Sequence, residues 1–528
     1  MARRGAHEQG ARFHPRLRDL YKRSLERAFP LHERPSESPT NRPASPSAAP
    51  SSAKAPAVDA SLVAAIREAV GERGLVEGRT ALRTYECDGY TLEKSTPDLV
   101  VLPASTEEAA KVVSLLAAAG VPFVPRGAGT GVSGGCLPTA ARVMVGTSRM
   151  RRIRSIDVAG RSAEVEAGVV NLEVTRAVAG HGLYYAPDPS SQSACTIGGN
   201  VAENSGGPHT LKYGVTVNHL LALELVLPDG QVAWLDRDDA GYDLVGLVTG
   251  SEGTLGLVTA ARVKLLRRPE AVRTLLAVFP GVPEASRAVS AIIAAGIVPA
   301  ALEMMDALVI EAVEAAYHFG FPPGAGAVLL IELDGLAAGL DTLAARVEAA
   351  CGGEGASEVK RAATEEERAL LWKSRKRAFG AMGRLTPNYC TQDGVVPRSR
   401  LPEIAARIAE VARKHRLRIA TLMHAGDGNI HPLVLYDEEA PGEVARVLKA
   451  GDEILRACLD LGGSITGEHG IGVEKLGLMP SAFTEETLAA MADVRDAFDP
   501  RGLCNPEKVV PSHRSCVEVT RPRPRGGG

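Results

Sequence analysis

No two of the eight cysteines, at positions 87, 136, 195, 351, 390, 458, 504 and 516, stand in a CxxC pair, so the sequence offers neither a zinc ribbon nor an iron–sulfur run. Scattered thiols of this kind suit buried positions in a reducing compartment, and a cytoplasmic location is expected, with association at the inner face of a membrane left open. No run approaches eighteen consecutive apolar residues, so no membrane-spanning helix is expected. Charge of neither sign dominates: 60 Lys and Arg stand against 63 Asp and Glu, a formal net charge of -3 that speaks against nucleic acid as a partner. Residues 1–57 also lack the apolar core of a secretory signal, and with eleven Lys and Arg against five Asp and Glu they form a basic, Pro/Ser/Ala-rich stretch unable to build a core. They are expected to be a disordered tail, a partner-docking arm or a misassigned start, and the Arg/Pro-rich residues 514–528 are expected to be a second tail.

What remains is long enough for large cores, and two domains are expected, a first over 58–271 and a second over 272–513 whose last residues return to the first. The text "PDLVVLP", "STEEAAKVVSLLAAAG", "VPFVPRG" reads as a β-α-β unit, its helix capped by Ser105, with Glu108 three residues on and Gly120 at the end. From "RTLLAVF" to "LDTLAARVEAA" strand and helix alternate, which implies a sheet with helices over one face. A charged helix ending near Arg384, a strand around "TQDGVVP" and a helix over 401–417 follow.

Three glycine-rich stretches carry chemistry. "PRGAGTGVSGGC" at 125–136 satisfies GxGxxG through Gly129, Gly131 and Gly134, but Pro138 and a strand-like stretch follow where a dinucleotide fold needs a helix. Bare backbone N–H groups in such a turn make a cradle for a diphosphate, although a tight turn for chain reversal remains the alternative. "PDPSSQSACTIGGNVAENSGGPHTLKYGVT" at 187–216 has too few apolar residues for a core element, and "LVTGSEGTLGLVT" at 247–259 lies between strand-like ends. Together these favour a large phosphate-bearing ligand.

A different chemistry sits at 424–431, "HAGDGNIH". The flanks are strand-like, and a two-residue turn centred on Asp427-Gly428 pairs His424 directly with His431, so that both imidazoles reach one divalent ion. Glu468 in "ITGEHGIG" offers a third ligand, with His469 beside it, and two imidazoles with one carboxylate leave coordination positions open as a catalytic site requires. Zinc, manganese and iron(II) all accept this set. The alternative is a pair of structural histidines and a helix-start turn with solvated side chains.

In the order and approximate spacing of "PRGAGTGVSGG", "TIGGNVAENSGGPHTLKYGVT", "GSEGTLG", "HAGDGNIH" and "GEHGIG", the chain resembles the FAD-linked oxidoreductases of the vanillyl-alcohol oxidase type. Within them it is most similar to the FAD-linked subunit of glycolate oxidase and to D-lactate and D-2-hydroxyglutarate dehydrogenases. The resemblance implies an α+β fold, with a two-part PCMH-type FAD-binding domain and a ferredoxin-like substrate domain. It implies FAD contacts from Pro125, Arg126, Gly127, Ala128, Gly129, Thr130, Gly131, Ser133 and Gly134, and from Pro187, Asp188, Ser190, Thr196, Gly198, Gly199, Asn200, Asn204 and Gly207. Glu252 and Gly256 fall near the adenine side and Asn505 near the isoalloxazine. Thr130 occupies the place where covalent members carry a flavin-bearing histidine, so the FAD is expected to be non-covalent. Cys136, Val132 and Glu507 depart from the usual residues without removing a needed group. The resemblance further makes His424, His431 and Glu468 the metal ligands, His469 the catalytic base and Arg375 the anchor of a substrate carboxylate.

The function implied is oxidation of a small D-2-hydroxy acid, glycolate or D-lactate, to the 2-oxo acid. A quinone, a cytochrome or a separate iron–sulfur subunit is the expected electron acceptor, in a homo- or hetero-oligomer. A flavin oxidase of another alcohol and a non-catalytic electron-transfer subunit are the alternatives.

Overall fold

The computed structural model describes residues 58–511; the two expected tails, residues 512 and 513, and Cys516 lie outside the described residues. The β-α-β unit forms as its sequence directs. Strand Leu99–Val101 is wholly buried, helix Thr106–Ala119 starts where the Ser105 hydroxyl accepts from the Glu108 N–H, and Gly120 ends it in the left-handed region at φ 67°. Strand Phe123–Arg126 then lies parallel to Val143–Gly146, which also pairs in parallel with Leu99–Val101. The glycine loop 127–136 spans the gap between two strands, with no helix at its end. The chain returns here at its close, where Cys504 bridges to Phe123 and the Asn505 N–H donates to the Phe123 carbonyl.

A five-stranded antiparallel sheet, ordered 153–157, 162–166, 257–264, 220–226, 232–236, completes this half. Two expectations give way within it. The second glycine stretch contains a helix, Ile197–Glu203, whose Ile197 and Val201 are fully buried, because two apolar residues four apart suffice for one helical face. The third stretch follows a short helix, Leu244–Val248, capped by Asp243, rather than a strand.

The other half is built on an eight-stranded antiparallel sheet. Its main path runs 358–361, 271–279, 327–335, 301–306, 418–424, 429–436, 388–391, with 394–395 added on 429–436. Helices cover both faces, not one. Alternate side chains divide the strands: Leu275, Met304, Leu329 and Met423 pack under helices 282–294, 340–353, 401–415 and 443–460, whereas Leu276, Met305, Leu422 and Leu433 pack under 307–317 and 378–381. A strand buried on both sides reads as a continuous apolar run, which hides how many helices it meets. The charged helix ends at Lys376 and gives way to the short helix Ala378–Ala381, and the helix from Leu401 stops at His415, where Arg416 turns left-handed at φ 54°. "TQDGVVP" is divided between strands 388–391 and 394–395, leaving Gln392 and Asp393 at the break.

Candidate active site

Strand alternation places His424, His431 and Glu303 on the side of the sheet that faces the first half. The hairpin reaches that result by a register other than the two-residue turn. His424 pairs with Asn429 and His431 with Leu422, closing a four-residue turn, 425–428, in which Gly428 has φ 77°. A Cβ on Gly428 would lie 2.0 Å from the Val396 carbonyl oxygen, and close backbone approach there selects the wider turn. The two histidines are diagonal neighbours, and their ring centroids lie 5.1 Å apart.

Glu468 comes to them on the 464–472 loop. One of its oxygens lies 3.1 Å from His424 Nε2 and 3.3 Å from His431 Nε2, and donor atoms of the three residues all fall within 4.8 Å of one another. The Glu303 carboxylate accepts from His424 Nδ1–H at 2.7 Å and so fixes which nitrogen turns forward. Two imidazole nitrogens and a carboxylate oxygen converging from rigid strands and a held loop fit a divalent cation. Burial works against a charged His424, but Glu303 and Glu468 on either side outweigh it and raise its pKa to about 10. Burial likewise opposes the Glu468 carboxylate, yet the two histidines hold it well below the usual carboxylate range. Such mutual attraction is what a cation between the three would replace.

The loop is held by a residue the sequence did not single out. Asp393, fully buried at the strand break, accepts from the Thr466 hydroxyl at 2.7 Å and from the N–H groups of Gly467, Glu468 and His469 at 2.8, 3.2 and 3.1 Å. Lys475, also buried, lies 3.2 Å away, and Asn429 donates at 2.7 Å. Its oxygens are therefore engaged, which makes Asp393 the frame of the loop although it stands near His431 and His469. His469 stacks on His431 with centroids 4.8 Å apart, and its Nδ1 has no hydrogen-bond partner. Burial lowers the His469 pKa to about 4, so the ring is neutral and able to accept a proton at neutral pH.

A cavity of about 680 Å³ joins this cluster to the glycine loops. From the first loop, Pro125 to Gly131 line it, with Gly135 and Cys136; from the second, Ser190, Thr196, Gly198, Gly199 and Asn200; from the third, Glu252 and Gly256. His424, His431, Glu468 and His469 form its far end. Among the described residues, the N–H groups of Ala128 to Gly131 meet no intramolecular acceptor, and the buried Thr147 hydroxyl and Asn200 Nδ2 in the same wall are likewise without partners. A row of unmet donors in a long cleft fits a diphosphate-bearing cofactor. Any other residue at Gly129 would be strained at φ 71°, and its Cβ would displace the Arg126 guanidinium.

Several expected contacts lie outside that wall. Ser133 is buried with its carbonyl taken by the Val473 and Glu474 N–H groups, and Gly134 packs on Val473. Pro187 gives its carbonyl to Asn171, Asp188 holds His209 at 2.8 Å, and Gly207 closes against Asp188. Asn204 caps its helix and accepts from Val217. Asn505 donates to the carbonyls of Gly135 and Glu252, tying two of the lining loops together without lining the cavity itself. Glu252 lines the cavity but spends its carboxylate on the Ile471 and Gly472 N–H groups at 2.6 and 2.8 Å, which joins the two halves of the molecule. Arg375 stands one layer behind the wall, buried and 2.7 Å from Glu303, in a geometry that leaves its Nε and Nη2 without a hydrogen-bond partner. Glu303 was discoverable as a charge flanked on both sides by apolar residues within the strand "ALEMMD"; Asp393 gave no comparable signal.

Comparisons with known proteins agree with this arrangement. Residues 97–236 match the FAD binding domain family and residues 268–509 the FAD linked oxidases, C-terminal domain. The chain is 46% identical over 461 residues to the glycolate oxidase subunit GlcD of Escherichia coli, covering 87% of this chain and 92% of that one, and 42% identical to GlcD of Bacillus subtilis, covering 80% and 91%. It is 32% identical to a D-lactate dehydrogenase of Archaeoglobus fulgidus, covering 78% and 91%. Among solved structures, 4-ethylphenol oxidase from Gulosibacter chungangensis superposes with a TM-score of 0.71 at 17% identity over 85% of this chain and 96% of that one, which shows the shared fold. With its cofactor cleft, its histidine–carboxylate cluster and these likenesses in hand, the chain belongs to the FAD-linked oxidases that include the glycolate oxidase subunit GlcD and D-lactate dehydrogenase.

Proposed function

We propose that the protein oxidises a small D-2-hydroxy acid, such as glycolate or D-lactate, to the corresponding 2-oxo acid, with non-covalent FAD and one divalent cation. The observation that carries this reading is the single cavity running from the glycine loops to His424, His431, Glu468 and His469. FAD supplies a hydride acceptor when bound, and a divalent cation supplies Lewis acidity toward a hydroxyl and a carboxylate oxygen.

The chain's own residues do the remainder. His424, His431 and Glu468 hold the cation, and Glu303 keeps His424 turned toward it. His469, neutral and without a partner on Nδ1, takes the proton of the substrate hydroxyl. Arg375, buried behind the wall and ion-paired with Glu303 at 2.7 Å, is the candidate anchor of the second carboxylate oxygen through its Nε, which Glu303 does not engage. The first glycine loop receives the diphosphate on its backbone donors. Electrons leave to a quinone, a cytochrome or a separate iron–sulfur subunit, because this chain has no CxxC pair for a cluster of its own.

Anaerobic titration of the purified yellow protein with glycolate, D-lactate, L-lactate and D-2-hydroxyglutarate, alongside metal analysis, tests the reading. Bleaching by one of the D-acids or glycolate is expected. A flavin that none of them bleaches, in protein containing its metal, would overturn it.

A further inference from the structure

Outside the cavity, the helix Glu365–Lys376 borders a second hollow of about 430 Å³ lined by His209, Arg368, Trp372, Lys373, Lys376, Arg377 and Ala369. Two of its basic groups are neutralised within the fold. His209 lies 2.8 Å from Asp188 and 3.2 Å from Glu332, and Arg368 lies 3.0 Å from Glu332. Three are not: among the described residues, Lys373, Lys376 and Arg377 make no ion pair, and all three are exposed. Lys376 and Arg377 instead lie over the rings of Trp372 and Tyr317, 5.7 and 5.2 Å from their centroids, which limits their freedom.

Lys376 belongs to both spaces. It lines the hollow and, with Phe379, the large cavity as well, so one of the three uncompensated positive charges reaches the rim of the site and the other two stand beside it in the adjoining hollow. On a chain of net charge -3 such a cluster is a local reversal of sign. A concave positive rim focuses the field and concentrates small anions before they meet the site behind it.

We propose that Lys373, Lys376 and Arg377 form a capture subsite that draws a small carboxylate anion into the cavity. The inference rests on the proposed function for the identity of that anion, and it adds residues that stand apart from the metal cluster and from Arg375. It assigns them to the approach of substrate rather than to its chemistry. A negatively charged electron acceptor is the competing occupant, and the test separates the two.

The holoenzyme and a combined Lys373→Gln, Lys376→Gln, Arg377→Gln variant, both with FAD and metal contents measured, are mixed with oxalate in a stopped-flow instrument. Association of this unreactive dicarboxylate is followed through the flavin absorbance. For the parent, the association rate constant is expected to fall about tenfold between low salt and roughly 0.2 M salt, within the range for steered encounters. The variant is expected to start about tenfold lower and to show little further dependence on salt, and the charge-retaining Lys373→Arg, Lys376→Arg, Arg377→Lys variant to behave as the parent. Should the triple variant fail to fold, Lys373→Gln with Arg377→Gln is expected to show an intermediate loss.

Superimposable oxalate kinetics for parent and neutralised variant would overturn the proposal, as would unchanged oxalate association combined with slower reoxidation by an anionic acceptor. Because oxalate binding needs no turnover, the two readings fail separately. A flavin no hydroxy acid bleaches, with oxalate association that follows the three charges, removes the substrate assignment and leaves the anion subsite standing.

Discussion

At the scale of single residues, the glycine loop decides how the flavin is held. A covalent link through an imidazole needs a ring nitrogen in the loop, and Thr130, which lines the cavity, has none. Acid precipitation is therefore expected to leave the yellow colour in the supernatant; colour retained in a washed pellet would contradict it. The proposed metal ligands and the proposed base are separable by role. His424→Ala or His431→Ala is expected to lose the cation, whereas His469→Ala keeps both cation and FAD and reduces its flavin about 10² to 10⁴ times more slowly, the usual loss for a positioned base. Metal analysis with single-turnover flavin reduction checks this, and a parent-like rate in His469→Ala would remove it as the base. That these three histidines would come together was legible because histidines around glycine turns are uncommon without a purpose. Glu303 and Asp393 act behind them; Glu303 left a trace as a charge within an apolar strand, whereas the burial of Asp393 cannot be read until the strands around it are placed.

At the scale of the element, the hairpin shows how two side chains expected together can come together in a different register. Asp427-Gly428 favours a two-residue turn, yet the close approach of Gly428 to Val396 widens it, and the shift brings His431 opposite Leu422. A shift of two residues preserves the face on which every side chain sits, so the two histidines still share a face despite the different register. The 464–472 loop, by contrast, has no regular structure of its own and depends on Asp393. Asp393→Asn can keep one oxygen on the three backbone donors, but it sets an amide N–H₂ against the Asn429 donor and leaves buried Lys475 without its counter-charge. We expect a loss of about 3–5 kcal/mol in unfolding free energy, typical of breaking a buried ion pair. Metal affinity should weaken by roughly 10- to 100-fold, as for residues that position ligands. FAD retention with lost metal is the signature. Denaturant unfolding together with metal titration measures both, and an Asn variant binding metal as the parent does would show that the loop holds its shape without Asp393.

At the scale of the whole molecule, the alternation of strand and helix announced two halves, but nothing in the order of residues revealed how they are fastened. Glu252 reaches across to Ile471 and Gly472, and His209, from the second glycine stretch, reaches Glu332 on the large sheet, where Trp372 and Arg368 also converge. His209 stacks on Trp372 at 5.3 Å, so this contact carries packing as well as charge. Burial opposes a charged His209, but Asp188 and Glu332 prevail and raise its pKa to about 10, while His209 and Arg368 overcome the burial of Glu332 and lower its pKa to about 2. A histidine raised above its ordinary 6.5 adds stability that is complete below pH 6.5 and disappears as pH climbs through about 10. A glutamate lowered from 4.5 adds stability that is complete above pH 4.5 and is lost only toward pH 2. The fastening is therefore at full strength between about pH 4.5 and 6.5 and weakens on the alkaline side through His209. His209→Gln should lower Tm most within that window, and the gap to the parent should narrow steadily as pH approaches 10. Paired thermal melts across this range give the answer: a gap of constant size would mean that His209 joins the halves by packing on Trp372 alone, with its charge contributing nothing.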